Sequence, residues 1–318
     1  MQKGMSDTTE RQGNVEALSK HAHYGVAAVY ALLAVTALSL NTLVLVAFIR
    51  DRGIRTPSNK IILSIAMGDL LHAALAFPFG IVANASHGWI MGAAKCSWYA
   101  FITIFLSFGI MLHHAALAIE RAFMINCSFA VRPTERKLHF VIAGLWIFAM
   151  LWSTFPLFGW SVYAPEGASV LCSIRWQSSN PSNIAYIACI FFFFYAVPIV
   201  AIVTAYSLIY HNVNTMKRNA QQMWGENAAP TLEAVRAESK TARMAFIMSF
   251  FFLFAWTPYA VVSLYAAIKV PKPIISPLVA TLPALFAKTA TCYNPVIYFL
   301  MNEKFRLSLC RTLRQLLV

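Results

Sequence analysis

The sequence has few charged residues, and acidic residues are the scarcest of them. Charged side chains make up 12% of the 318 residues, which is about half of their usual share in soluble proteins. Only 12 residues are Asp or Glu. A soluble helical bundle of this length needs polar faces on its helices, and long stretches of this chain have almost none. The scarcity excludes an ordinary soluble protein and indicates a membrane protein.

Two further features are missing from the chain. Residues 1–23 hold no apolar run, so a cleavable signal peptide is not expected. No internal repeat is visible, which argues against a transporter built from inverted repeats.

The longest polar connection, residues 211–237, contains Gly225 and Pro230 and is predicted to be a mobile loop.

Seven apolar stretches are long enough to cross a bilayer, which takes about 20 helical residues. They lie at residues 24–50, 58–84, 95–125, 139–161, 183–210, 239–267 and 274–300. The predicted fold is therefore an all-α membrane protein with a seven-transmembrane helix bundle. We expect residues 1–23 to be a tail, residues 24–300 to form the bundle, and residues 301–318 to form a short amphipathic cytoplasmic helix with its tail.

Lysine and arginine collect on one side of the predicted spans. Of the 25 basic residues, 17 lie on the side that holds the C-terminus, seven lie on the other side, and Lys288 lies within a span. Because cytoplasmic loops carry the excess of Lys and Arg, we expect a cell-membrane protein with its N-terminus outside and its C-terminus inside. The basic residues sit at span ends, so the net charge of +13 does not indicate nucleic-acid binding.

Two of the six cysteines fall on the predicted outer side. Cys96 opens the third span and Cys172 lies between the fourth and fifth spans, where an oxidising environment permits a disulfide. Such a bond would fix the connection onto the bundle, and the alternative is two unpaired thiols. Cys310 lies in the amphipathic segment after the seventh span and is a candidate for palmitoylation.

A lysine occupies the middle of the seventh apolar stretch. Lys288 stands in the run LFAKTATCYNPVIYFL. A charged residue at this depth is unfavourable and usually marks a ligand site or a site of chemistry. Its amine can pair with an acid, or it can react with an aldehyde to form a Schiff base.

Several motifs occur together along the spans. They are Glu120-Arg121 at the end of the third span, Trp256-Thr257-Pro258-Tyr259 in the sixth, Asn294-Pro295-Val296-Ile297-Tyr298 in the seventh, Asp69 in the second and Asn41 in the first. With this set, the chain resembles an opsin of the rhodopsin-like G-protein-coupled receptors over about residues 24–310. Lys288 stands six residues before Asn294, where opsins have their retinal-attachment lysine. Residues 162–171 resemble the opsin plug loop.

The resemblance implies a light-activated receptor and not an enzyme. Lys288 would carry 11-cis or all-trans retinal as a Schiff base, and the candidates for the pocket wall are Tyr99, Phe252, Trp256 and Tyr259. Light changes the shape of the ligand, which favours another conformation of the bundle. The cytoplasmic end would then bind a heterotrimeric G protein. Arrestin and membrane lipids are the other expected partners, and no metal site is expected.

The scarcity of acids narrows the choice of a counterion for the buried Schiff-base cation. Three acids lie in the N-terminal tail, seven lie on the predicted cytoplasmic side, and Asp69 belongs to the lower half of the second span, which leaves Glu166. Vertebrate visual pigments have a glutamate where this chain has Tyr99, whereas many other opsins have a loop glutamate at the position of Glu166. A counterion in the loop, together with Tyr99 in the third span, resembles pigments whose photoproduct keeps its retinal and reverts with a second photon. The alternative is a solvated Glu166, with chloride or water compensating the cation.

An arginine at the cytoplasmic end of the third span needs an anion. Glu120 and Glu238 are the candidates, and a pair between Arg121 and Glu238 would join the third and sixth spans. The alternative is two separately solvated charges. The resemblance assigns four further residues to activation: Tyr206, Asn294, Pro295 and Tyr298.

Two other functions stay open. A retinal photoisomerase of the same fold would signal little, and Ala122 is compatible with it because the family usually has tyrosine or a similar residue there. The retained activation motifs favour the receptor. A light-driven ion pump of the microbial type also has a seventh-span lysine, but it needs acids along the third span, and none lies above Glu120.

We expect His113 and His114 to be buried, hydrogen-bonded core residues rather than a proton relay.

Overall fold

The computed structural model of the protein describes residues 18–56, 58–126, 134–166, 169–225, 229–270, 273 and 275–317. Most of the predicted N-terminal tail lies outside these residues. In the described part, long apolar helices dominate, because a helix satisfies its own backbone hydrogen bonds where no water is present. Six of these helices or helix pairs are long and apolar enough to cross a membrane.

The helices follow one another in the predicted order. The first span is α1, Lys20–Arg50; the second is α2, Asn59–Leu75, with α3, Phe77–Ala85; the third is α4, Gly92–Asn126; and the fourth is α5, Glu135–Thr154. The fifth is α6, Pro181–Phe191, with α7, Val197–Trp224; the sixth is α8, Ala229–Ile268; and the seventh is α9, Pro277–Lys288, with α10, Ala290–Met301. Helix α11, Glu303–Leu317, follows. The predicted all-α bundle is confirmed.

The seventh span is divided into two helices of 12 residues each, so neither half alone is long enough to cross. The break falls at Thr289. Its amide donates to the Phe286 carbonyl, and the Cys292 amide donates to the Thr289 carbonyl, both at 3.0 Å. These bonds join residues three apart, which is the tighter 3₁₀ pattern. The local change in pitch separates α9 from α10.

The prediction of a mobile loop over residues 211–237 is wrong. Helix α7 continues to Trp224 and α8 begins at Ala229, so most of that segment is helical. Its residues include many good helix formers, such as Ala, Gln, Met, Lys and Arg, and a helix that leaves the membrane needs no apolar face. Gly225 ends α7 with a positive φ of 48°, a conformation that favours glycine.

A short antiparallel hairpin covers one end of the bundle, which we call the hairpin end. Strand β1, Tyr163–Glu166, pairs with β2, Leu171–Ile174, so that Glu166 lies opposite Leu171. Cys172 of β2 is bonded to Cys96 at the start of α4, with the two Cα atoms 5.4 Å apart. This distance is ordinary for a disulfide. The predicted disulfide is confirmed, and it holds the hairpin against the third span.

The third span forms the axis of the bundle and packs against the second, fourth, fifth and sixth spans. The fourth span approaches closely because Gly109 has no side chain, and a Cβ there would overlap the Trp146 ring. The Trp146 indole donates to Ser64 at 2.8 Å, and Ser64 also contacts His113 at 3.1 Å. A polar cluster therefore ties the second, third and fourth spans together.

The opposite end, which we call the Arg121 end, is closed on one side by α11. The buried residues of this helix recur at helical spacing, at Phe305, Ser308, Leu309 and Thr312. The Phe305 ring lies 5.4 Å from the Phe48 ring of α1. Helix α11 is therefore amphipathic, as predicted, and its apolar face rests on the first and seventh spans.

Candidate functional site

Lys288 is the last residue of α9 and is 5% exposed. Its Nζ lies 5.5 Å from the centre of the Trp256 ring, where a cation–π contact is favourable. Its carbonyl accepts a hydrogen bond from Thr291 at 2.9 Å. The amine therefore sits inside the bundle, directly before the break in the seventh span.

A largely apolar cavity surrounds the amine, and we call it the Lys288 cavity. Its walls come from the third, sixth and seventh spans and from the hairpin, and they include Tyr99, Thr103, Ile104, Ser107, Phe108, Glu166, Leu171, Trp176, Trp256, Tyr259, Ala284 and Ala287. A second apolar cavity adjoins it and shares Ser107, Phe108, Trp176, Trp256 and Tyr259. Together the two make an elongated slot that extends from Lys288 to the fifth span.

Glu166 reaches the Lys288 cavity from the end of β1 and is partly buried there. Its Oε2 accepts a hydrogen bond from the Tyr259 hydroxyl at 3.1 Å. Burial raises the pKa of the Glu166 carboxyl to about 7, although the Tyr259 hydrogen bond and the charge of Lys288 act in the opposite direction. The carboxyl and the amine thus lie within electrostatic range of each other.

The aromatic residues predicted to line the pocket are found in the walls of two adjoining cavities. Tyr99, Trp256 and Tyr259 line the Lys288 cavity. Phe252 does not line this cavity in the described structure; it lines the adjoining one and stacks beneath Trp256, with 6.0 Å between the ring centres. Phe252 therefore lines the slot one helical turn below Trp256, and its contact with a ligand stays a prediction.

At the Arg121 end, the arginine is paired within its own helix. The Arg121 guanidinium lies 2.6 Å from Glu120, and Ser58 of the second span donates a hydrogen bond to the same carboxylate. Glu238 and Arg121 line one cavity at this end of the bundle, yet the described residues show no ion pair between them. Of the two predicted anions, the structure selects Glu120, and the expected link from the third to the sixth span is absent here.

The other residues expected to act in activation contact neighbouring helices. The Asn294 amide donates to Asp69 at 3.0 Å, and Pro295 is buried beside it in α10. Tyr298 is fully buried against Phe305, with 5.3 Å between the rings. Tyr206 of the fifth span packs on Phe246 of the sixth at 5.0 Å.

Comparisons with known proteins identify the arrangement. Residues 40–298 match the family model of the 7 transmembrane receptors (rhodopsin family). The chain belongs to this family. Its receptor fold is also that of squid rhodopsin, whose crystal structure matches with a TM-score of 0.86 and 26% identity over 95% of this chain and 88% of that one.

The receptor is also similar in sequence to melanopsins, which confirms the resemblance to opsins. It is 30% identical to mouse (Mus musculus) melanopsin over 298 residues, and 30% identical to zebrafish (Danio rerio) melanopsin-A over 297 residues. Each match covers 92% of this chain but only 57% and 50% of the two melanopsins. The receptor chain therefore spans about half the length of these relatives.

Three residues that hold the receptor's site in place were missed by sequence reasoning. Ser173 and Trp176 contact the Tyr259 hydroxyl at 2.9 and 3.2 Å and so orient the group that binds Glu166. Both stand within four residues of Cys172, and the disulfide position was the signal that could have placed them near the site. Ser58, the partner of Glu120, stands just before the second helix and has no comparable signal.

The two histidines of the third span are buried and hydrogen-bonded, as predicted. His113 contacts the Gly109 carbonyl at 2.7 Å and Ser64 at 3.1 Å. The His114 ring packs against the Phe252 ring with 4.7 Å between the ring centres, and its Nδ1 lies 3.5 Å from Ser249. A column of rings therefore continues from Trp256 through Phe252 to His114 in the middle of the bundle.

Proposed function

We propose that this receptor senses light through retinal held on Lys288 and that it activates a heterotrimeric G protein. The observation that carries the proposal is a buried lysine that shares an aromatic-lined cavity with one carboxyl group, Glu166. When bound, retinal would supply the light-dependent change of shape, as either the 11-cis or the all-trans isomer. The residues of the chain bind the ligand, compensate its charge and pass on the movement.

The proposed role of Lys288 is covalent attachment through a Schiff base. Its surroundings support the proposal, since Ala284 and Ala287 keep the adjoining helical turn small and Trp256 closes the cavity beneath the amine. The elongated slot towards the fifth span suits a long apolar ligand. The same apolar walls exclude water, which would otherwise hydrolyse the bond.

The proposed role of Glu166 is that of counterion. It is the carboxyl group that lines the cavity with Lys288 among the described residues, and Tyr259 fixes one of its oxygens. A carboxylate near a buried cation stabilises the charged form. Because this counterion belongs to the hairpin and not to a moving span, we also propose that the pigment stays intact after illumination and reverts with a second photon.

The proposed surface for the G protein is the Arg121 end. A cavity of 460 Å³ opens there between Arg121, Glu238 and the start of α11. In the proposed orientation this end is cytoplasmic and the hairpin end is extracellular, as the Lys and Arg distribution indicates. Arrestin would use the same face, and a palmitate on the partly buried Cys310 would hold α11 at the lipid surface.

The experiment that tests the proposal compares two lysine variants after addition of 11-cis or all-trans retinal. Wild-type protein should form a pigment that absorbs visible light and stays covalently modified after acid denaturation. Lys288→Ala should form none, whereas Lys269→Ala, which removes an exposed lysine at the end of α8, should behave as the wild type. A covalent visible pigment in Lys288→Ala contradicts the attachment.

Signalling needs its own measurement. Illuminated wild-type protein should accelerate nucleotide exchange on at least one class of heterotrimeric G protein. A retinal photoisomerase is the second candidate, since Ala122 replaces the residue that usually follows the arginine. A stable pigment that isomerises retinal but changes nucleotide exchange on no G-protein class, and neither cyclic AMP nor calcium in cells, would favour the photoisomerase.

A further inference from the structure

A polar cavity lies beside the Lys288 cavity, between the hairpin and the neighbouring ends of the sixth and seventh spans. We call it the outer cavity. Its volume is 160 Å³, and its walls include Glu166, Arg175, Gln177, Ser263 and Ala280. Such a volume has room for several water molecules. Arg175 and Gln177 are exposed, so the outer cavity lies at the rim of the bundle.

Glu166 belongs to the walls of both cavities, together with Ile174 and Trp176. On the inner side, its Oε2 accepts the hydrogen bond from Tyr259. The residue as a whole is partly buried, and it also lines the outer cavity. The carboxyl group therefore forms part of the partition between the apolar slot and the polar rim.

Ser263 points independently to water in the outer cavity. This residue of the sixth span is 2% exposed, and its hydroxyl has no hydrogen-bond partner among the described residues. A buried hydroxyl without a partner has lost its hydrogen bonds to water without compensation and is destabilising. Ser263 lines both the outer cavity and the second apolar cavity, and a water molecule in the polar outer cavity would satisfy its hydroxyl.

We infer that the outer cavity is a hydrated passage through which extracellular protons reach Glu166. The inference deepens the proposed role of this carboxyl. It rests on the proposed orientation, in which the hairpin end is extracellular, and its retinal readout also rests on the proposed function. Extracellular acid would then neutralise the counterion without any proton crossing the membrane.

Titratable and charged groups face Glu166, and the charge of Lys288 among them opposes its protonation. They come from the first, third, sixth and seventh spans and from the residue after β2, namely Tyr30, Tyr99, Tyr259, Lys288 and Arg175. Tyrosines are neutral and arginine is charged throughout this range. The burial that raises the pKa of Glu166 to about 7 places its protonation inside the physiological range.

The test uses ligand-free protein in sealed right-side-out vesicles. The infrared C=O band of protonated Glu166, assigned by its loss in Glu166→Gln, is followed after a rapid pH jump. A jump on the outside from pH 8 to pH 6 should raise the band, and the same jump on the inside should not. A band that follows only the inner pH, or the absence of any such band between pH 5 and pH 8, overturns the inference.

A matched pair of variants tests the route itself. Ala280→Phe places a ring in the wall of the outer cavity and should slow the response severalfold. Val279→Phe adds the same ring one residue earlier, on the exposed side of α9, and should respond as the wild type. Equal rates in these two variants, both folded by circular dichroism, overturn the passage.

Retinal-loaded protein gives the second readout. Its absorption maximum should follow the outer pH and not the inner pH, with the same slowing in Ala280→Phe. If no visible pigment forms with any retinal isomer, the proposed function fails, but the infrared result on the ligand-free protein still decides whether protons reach Glu166 from outside.

Discussion

The two ends of the bundle hold their buried charges in opposite ways. At the hairpin end, Lys288 and Glu166 come from different elements, and the described residues show no direct ion pair between them. At the Arg121 end, Arg121 and Glu120 are neighbours on one helix and lie 2.6 Å apart. The first arrangement leaves an amine available for a covalent ligand. The second arrangement pairs the arginine with a carboxylate of its own helix.

The two ends of the bundle also differ in the residues that surround their buried charges. Around Lys288 the walls are aromatic and aliphatic, whereas Arg121 borders a wide cavity with Glu238, Lys240 and Lys304. An apolar wall strengthens electrostatic interactions, and an open polar cavity screens them. A single charge change should therefore have a larger effect at the hairpin end than at the Arg121 end.

The largest expected effect comes from Glu166→Gln. With the carboxylate removed, the nitrogen of Lys288 loses its compensating charge, and the retinal-loaded protein should absorb in the ultraviolet near neutral pH. Absorption spectra between pH 5 and pH 9 measure the change. Glu233→Gln, an exposed acid of α8, is the control. If the Glu166→Gln protein titrates like the wild type, the counterion is another group, and the dependence of the spectrum on chloride is measured next.

The disulfide should give the next largest effect. Cys172→Ser releases the hairpin that carries Glu166, and loss of a native disulfide that closes a loop of this size destabilises a fold by roughly 2–5 kcal/mol. Thermal unfolding in detergent should shift to lower temperature, while Cys189→Ser, at an unpaired cysteine of α6, should change little. Equal midpoints in the two variants would show that the hairpin does not depend on the bond.

A smaller effect is expected from Tyr259→Phe. The lost hydrogen bond stabilises the ionised carboxylate, so the pKa of Glu166 should rise further above its ordinary range. The acid transition in the spectrum should move to higher pH by roughly one unit, the equivalent of about 1.4 kcal/mol. Tyr265→Phe, at an exposed tyrosine of the same helix, should leave it in place. A shift to lower pH would contradict the contact.

The smallest effects separate the two anions near Arg121. Ser58→Ala removes a hydrogen bond from Glu120, so dark nucleotide exchange on the G protein should rise modestly, by the equivalent of about 1 kcal/mol. Glu238→Gln should leave dark activity unchanged, because Glu238 forms no ion pair with Arg121 in the described structure. A large rise in Glu238→Gln with none in Ser58→Ala would reverse the assignment.

The sequence was sufficient for features that depend on length and chemical type. Seven apolar stretches predicted the spans, Lys288 was singled out by its depth, and the compartment of Cys96 and Cys172 permitted their bond. Elimination among 12 acids indicated Glu166, which the structure places in one cavity with Lys288, and its role as counterion stays a prediction. Each of these inferences rests on a free-energy term that is large in a membrane, so neighbouring residues rarely override it.

Features decided by packing could not be predicted. Whether Arg121 pairs with Glu120 or Glu238 depends on the separation of the third and sixth spans, which no sequence pattern measures. The layer that Phe252 occupies depends on the rotation of α8 about its axis. The helical extension beyond the membrane was missed because polar residues without periodicity resemble a loop.

Lys288 lies directly before the break at Thr289, where the seventh span is divided into two helices. A continuous helix is stiff, but the seventh span has a joint between α9 and α10, and the lysine is the last residue before it. A sideways force on its side chain acts where the span bends most easily. Helix α10 extends from this joint with Asn294 and Tyr298 along it, and α11 follows it. In the proposed function, a displacement at the joint would therefore reach the Arg121 end through α10.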